Sequence, residues 1–221
     1  MKTRVYVETS VLSYLTARPS RDLLIAAHQQ VTHEWWAVAH ERFAVCTADL
    51  VAQEARKGDP EAAAQRLELI KGVLLLDLTE DVRTLADLYQ RRTELPSDAR
   101  VDLMHVALPV VHAIDYLVTW NCAHIANEKV IRRIAEVNRE EDRFMPLIVT
   151  PEAFLQIMRR RNPMARDPIV EEVHQIRRQM LAECRGDFDK LFDRLMAAQT
   201  RRKGRLLPKP LRRKRRAVEA K

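Results

Sequence analysis

Glu8, Glu54 and Asp102 are three carboxylates drawn from distant parts of the first half of the chain, each beside the end of an expected strand or helix. Glu8 closes the apolar run Val5-Tyr6-Val7. Glu54 lies in the helix expected after Ala44-Val45-Cys46, and Asp102 opens the apolar run Leu103-Met104-His105-Val106-Ala107-Leu108. Acids gathered from separate segments repel one another and lose hydration, so a fold that converges them does so to hold a hard cation, Mg2+ or Mn2+. Phosphodiester hydrolysis suits such a site, because it needs a water made nucleophilic near neutral pH and charge neutralised on the phosphate. The hydroxyls of Thr9 and Ser10, just past Glu8, either position a water or a phosphate oxygen or cap the helix that follows. A single acid at the end of an element is usually a cap or a solvated charge. The set of three carries the metal reading.

The elements that must position these acids alternate short apolar runs with longer helical patterns over the first 150 residues, which predicts a parallel α/β sheet flanked by helices. Strands are expected at 4–8, 43–47, 73–78, 115–120 and 147–150. A long helix is expected over 22–41, where Leu24, Ala27, Val31, Trp35 and Val38 recur at helical spacing. Trp35 and Trp36 are adjacent and so face different ways, one toward the core and one toward the surface or a partner. Further helices are expected at 48–57, 60–71, 81–93, 100–113 and 123–138, with Pro109 kinking the fourth of these. In open parallel sheets, ligands collect outside the carboxyl ends of strands where the strand order reverses, and Glu8 stands at such an end.

With 221 residues, 31% of them charged and only 4 glycines, the chain can bury one substantial core and carry an appendage. No run of about 18 apolar residues is present, so no membrane span is expected. The opening residues read as a strand ending in an acid, and the expected location is the cytosol. Cys46, Cys122 and Cys184 are too far apart for a zinc or disulfide pattern and are expected to be reduced and mostly buried. The net charge of +7 conceals an asymmetry: residues 1–150 hold 18 basic against 22 acidic residues, and residues 151–221 hold 20 against 9.

The boundary is expected near residue 158, with a helical extension and basic tail over 159–221. Asp167 and Pro168 read as a helix cap and first turn, and Ile169, Val173, Ile176 and Met180 continue as an apolar seam. Gly186 and Asp187 interrupt it, and Phe188, Leu191, Phe192 and Leu195 form a second seam. Residues 201–216 hold ten Lys or Arg, no acid and two prolines, so this stretch is expected to be disordered alone.

Three runs resemble the PIN-domain nucleases of bacterial toxin–antitoxin systems: Tyr6-Val7-Glu8-Thr9-Ser10-Val11-Leu12-Ser13-Tyr14-Leu15, Asp102-Leu103-Met104-His105-Val106-Ala107-Leu108, and Asp115-Tyr116-Leu117-Val118-Thr119-Trp120-Asn121-Cys122-Ala123-His124-Ile125. The resemblance covers residues 4 to 155. It implies a PIN-like parallel sheet, a Mg2+ or Mn2+ cofactor, RNA as substrate and a homodimer. Glu8, Glu54 and Asp102 match the first, second and third acids of that family. The apolar run behind Asp102 matches the family pattern, which leaves the neighbouring Asp98 as a helix cap. Where many members carry a fourth acid this chain has Asn121, an uncharged and weaker ligand, read with His124 nearby as a group that orients water. His105 is read as a hydrogen-bonded histidine rather than a ligand.

The run Asp167-Pro168-Ile169-Val170-Glu171-Glu172-Val173 is similar to the start of the small antitoxin-like proteins that accompany such nucleases. That similarity implies a nuclease held in check by its own C-terminal segment, or by a separate antitoxin as partner. A basic arm that binds RNA is the competing reading of the tail. Three readings of the whole follow: a magnesium-dependent endoribonuclease, a catalytically weak or inactive PIN-fold regulator that binds nucleic acid, and a purely structural partner-binding protein.

Overall fold

In the computed structural model, which describes residues 2–161 and 168–201, the alternating pattern resolves into one sheet of five strands. These are β1 (Arg4–Val7), β2 (Ala44–Ala48), β3 (Leu74–Leu76), β4 (Tyr116–Val118) and β5 (Leu147–Val149). All pairings are parallel and the order is β3-β2-β1-β4-β5. Parallel neighbours need long crossovers, and these are helices that cover both faces of the sheet. They are α1 (Thr9–Thr16), α2 (Leu23–Arg42), α3 (Asp49–Ala55), α4 (Pro60–Leu69), α5 (Glu80–Thr93), α6 (Arg100–Val111), α7 (Glu128–Glu140) and α8 (Pro151–Arg161).

Because both faces are covered, the central strands are largely apolar. Val5, Tyr6 and Val7 of β1 and Leu117 and Val118 of β4 are buried, with Val5 opposite Tyr116, Tyr6 opposite Leu117 and Val7 opposite Val118. The chain runs from β1 outward through β2 and β3, then returns to add β4 and β5 on the other side of β1. The strand order therefore reverses between β1 and β4, and the crevice outside their carboxyl ends is where such sheets bind ligands. Glu8 follows β1 there, and Thr119 follows β4.

Local signals account for most boundaries. Asp22 caps α2 by accepting from the backbone of Leu24 and Ile25, Asp59 caps α4 ahead of Pro60, and Thr79 caps α5. Trp35 is fully buried and Trp36 packs partly against the same core.

Several expectations are corrected. The helix expected from 123 begins only at Glu128, because the Asn121 carbonyl accepts from the backbone of Ile125 and Ala126 and closes a turn, and Asn127 then caps α7. Asp98 is not a cap: it sits in a single 3-10 turn, Ser97–Ala99, and the cap position of α6 is Ala99, which has no side-chain bond to give. Asp102 lies in the first turn of α6. Helix α6 continues to Val111 past Pro109. Cys122 is exposed, whereas Cys46 and Cys184 are buried, and all three are free thiols.

The chain divides into two compact units, 1–162 and 163–221. Within the second, α9 (Pro168–Glu183) and α10 (Phe188–Arg201) are joined by a tight turn. The backbone of Gly186 donates to Leu181 and that of Arg185 to Ala182, with both residues at positive φ, the hydrogen-bond pattern that closes a helix with a left-handed turn. Asp187 then caps α10 through Lys190. Val173, Ile176, Phe188, Phe192 and Leu195 of the two seams are exposed. Asp167 and the basic run beyond Arg201 lie outside the described residues. Among the described residues no helix is long and apolar enough to cross a membrane.

Candidate metal centre

The end of β1 is a sharp transition: Glu8 remains extended while Thr9 already begins α1, and the Glu8 backbone N–H donates to Val118 of β4 at 3.1 Å. This places the Glu8 side chain between β1 and β4, with 6% of the residue exposed. Its Oε2 accepts from Thr119 Oγ1 at 2.7 Å and from the Ser10 hydroxyl. Those hydroxyls are themselves held. Ser10 Oγ accepts from the Trp120 backbone at 2.8 Å and Thr119 Oγ1 from the Asn121 backbone at 2.9 Å. Among the described residues the donors to the Glu8 carboxylate are neutral hydroxyls, and no Lys or Arg ion-pairs with it. A buried carboxylate without a countercharge is costly, and a bound cation is the usual remedy.

Glu54 arrives from the last turn of α3. Its Oε2 accepts from the Thr9 hydroxyl and lies 3.0 Å from His105 Nε2. His105 is carried by α6, is 1% exposed, and its Nδ1 lies 2.8 Å from the hydroxyl of Tyr6 on β1. Glu8, Glu54 and His105 each offer a ligand atom within 4.8 Å of the others, and the three could hold a metal ion.

Asp102 stands apart from that group. Its Oδ1 accepts from Asn121 Nδ2 at 3.0 Å and its Oδ2 lies 2.7 Å from His124 Nδ1, while Asn121 Oδ1 accepts from the His124 backbone at 3.0 Å. Asn121 is joined to the Glu8 cluster through Thr119. Of the acids expected to converge, the structure therefore brings Glu8 and Glu54 together, adds His105, and ties Asp102 to Asn121 and His124, with Thr119 bridging Asn121 to Glu8. Thr9 and Ser10 act on the carboxylates rather than as side-chain caps of α1, which has none. Thr119, Tyr6 and His105 are the members sequence reasoning did not place in the site. The signal for His105 is its position one helical turn beyond Asp102, on a helix that had to approach β1.

The electrostatics follow from burial and partners. The Tyr6 phenol is pushed well above its ordinary value, first by burial and then by the charges of Glu8 and Glu54. Burial alone would raise the Glu54 carboxyl, but the hydrogen bonds from His105 and the Thr9 hydroxyl and the charge of Lys57 outweigh it, and the net direction is below the ordinary 4.5. A depressed folded value means that stability from Glu54 is present above its unfolded value and lost as pH falls through the folded one. Glu54→Gln should therefore flatten the fall in stability below about pH 4.5 in metal-free protein, read by urea unfolding at stepped pH. An acid limb identical in the two proteins would remove Glu54 as its source.

No protein-family model matches the chain, and no curated protein matches it in sequence.

Proposed function

We propose that the chain is a Mg2+- or Mn2+-dependent endoribonuclease with a PIN-like fold. The observation that carries this reading is the buried Glu8 carboxylate, supplied among the described residues with neutral hydroxyls, beside Glu54 in the crevice where the strand order reverses. Oxygen donors of this kind fit a hard divalent cation. A cation bound there would supply a nucleophilic water near neutral pH and neutralise charge on a phosphodiester.

The chain's own residues have separable tasks. Glu8 and Glu54 hold the charge, and Ser10, Thr119 and Thr9 fix the orientation of their carboxylates. The Ser10 and Thr119 hydroxyls are themselves oriented by backbone N–H groups of the turn after β4, so one short segment orients both donors to Glu8. Asp102, Asn121 and His124 form a second polar group, linked to Glu8 through Thr119, suited to orient water or a phosphate oxygen.

A second reading, a PIN-fold regulator that binds nucleic acid with little or no turnover, is favoured by one observation: both Asp102 carboxylate oxygens are taken up by Asn121 and His124. Incubating the full chain with a mixed pool of cellular RNAs and Mg2+, beside Asp102→Asn, decides between the two. Metal-dependent cleavage that Asp102→Asn abolishes supports the nuclease. RNA binding with no cleavage supports the regulator.

The C-terminal unit enters this proposal as an inhibitor. Two short helices cannot bury a core of their own, and the exposed seams of α9 and α10 give such a unit an apolar surface to lay on a partner. Removing residues 160–221 is expected to raise the rate of RNA cleavage. An unchanged rate rejects inhibition, and RNA affinity that falls steeply with salt only when the tail is present would assign it to RNA binding instead.

A further inference from the structure

We propose that His105 is a positioning residue, not a metal ligand: its Nε2–H donates to Glu54, and Tyr6 occupies its other nitrogen and locks that arrangement. The inference rests on the reading that Glu8 and Glu54 hold a cation, and it settles what the third member of the group does.

The argument is one of donors and acceptors. Glu54 Oε2 lies 3.0 Å from Nε2, and a carboxylate oxygen only accepts, so a hydrogen bond there requires the hydrogen on Nε2. The other ring nitrogen lies 2.8 Å from the hydroxyl of Tyr6, a residue 0% exposed, and no other partner for that hydroxyl is present among the described residues. A buried hydroxyl hydrogen without an acceptor is costly, so Tyr6 donates and Nδ1 is the bare nitrogen.

Ligation through Nε2 would reverse every one of these assignments. The ring hydrogen would move to Nδ1, the Tyr6 hydrogen would lose its acceptor, and Glu54 would lose its donor. Even with both nitrogens protonated, Nε2–H still faces Glu54. The consequence is chemical: with the imidazole withheld, the ligands left in the group are carboxylate oxygens, a set matched to Mg2+ or Mn2+ rather than to zinc, which binds imidazole readily. His105 then acts on the cation through Glu54, as outer groups that orient a ligand commonly do.

Ring-nitrogen NMR on the full chain tests this directly. The protein has 7 histidines, and the His105 signals are those missing in His105→Gln. The expected metal-free spectrum shows Nε2 protonated and Nδ1 bare, and Mg2+ leaves that assignment in place. A bare Nε2 in metal-free protein, or loss of its hydrogen as Mg2+ binds, overturns the proposal. Two variants add a readout independent of the spectrum. His105→Gln retains an N–H to offer Glu54 and should keep Mg2+ affinity within about threefold, whereas His105→Leu should lose roughly 10- to 100-fold. Equal losses in both would overturn the positioning role. Absence of any Mg2+ response that Glu8→Gln removes would sink the metal reading instead, and the metal-free spectrum would still decide the state of His105.

Discussion

Glu8→Gln is expected to lower Mg2+-dependent RNA cleavage by roughly 100- to 1,000-fold, about 3–4 kcal/mol of lost stabilisation, while leaving the fold in place. The two effects separate because the substitution removes charge and almost nothing else. Glutamine has the volume of glutamate, and its amide oxygen can still accept from Ser10 and Thr119, so the contacts of the site are preserved. What disappears is the buried negative charge, whose donors among the described residues are neutral hydroxyls. In metal-free protein that loss should be neutral or stabilising, since an uncompensated buried carboxylate is itself a cost. Calorimetric Mg2+ titration, thermal unfolding and single-turnover cleavage on the same two proteins check all three parts. Cleavage within threefold of the parent would remove Glu8 from the mechanism. A collapse in unfolding temperature would show that its role is structural.

The largest expected effect on stability lies at Trp35. Trp35→Ala should cost about 3–5 kcal/mol, the range for truncating a fully buried aromatic to alanine. Trp35 is 0% exposed on the inner face of α2, with its ring 6.0 Å from that of Trp36 and 6.0 Å, edge to face, from that of Phe154 on α8. Truncation would therefore open a cavity between two helices that pack on the same side of the sheet. Trp35→Phe should cost much less, about 1 kcal/mol, because the ring contacts largely survive and one defect goes with the indole. That defect is the Trp35 Nε1–H, which is buried without a hydrogen-bond partner among the described residues. Urea unfolding of the full chain followed by circular dichroism measures both values. If phenylalanine proves as costly as alanine, the indole N–H has a partner after all and the packing account is incomplete.

The aromatic cluster after β4 shows how closely packing and site are joined. Trp120 stacks on His28 at 4.1 Å and its indole donates to Thr32 on α2 at 2.8 Å, while its backbone N–H holds Ser10. The same residue thus ties α2 to the turn that orients the Glu8 hydroxyls, so the core side of that turn is fixed by rings and the site side by hydrogen bonds.

What the sequence determined by itself was whatever local periodicity and local chemistry control. All five strands, the parallel α/β class and the long helix with Trp35 inside were legible, because a strand buried on both faces is written as a short apolar run and a helix as a recurring stripe. Glu8 was legible for the same reason, being the acid that ends the first apolar run. The start of α7 was not, since Ala123, Ile125 and Ala126 continue an apolar pattern that a turn around the Asn121 carbonyl interrupts. Only the tertiary structure decided which side chains meet. Strand order is set by which sheet edges pair across more than a hundred residues, and it is the adjacency of β1 and β4 that brings Thr119 to Glu8. Asp102 and His105 lie three residues apart on α6, about 60° apart around its axis, so a small rotation of the helix decides which of them faces Glu54. That rotation is settled by how α6 packs on β1 beside Tyr6, which spacing along the chain does not encode.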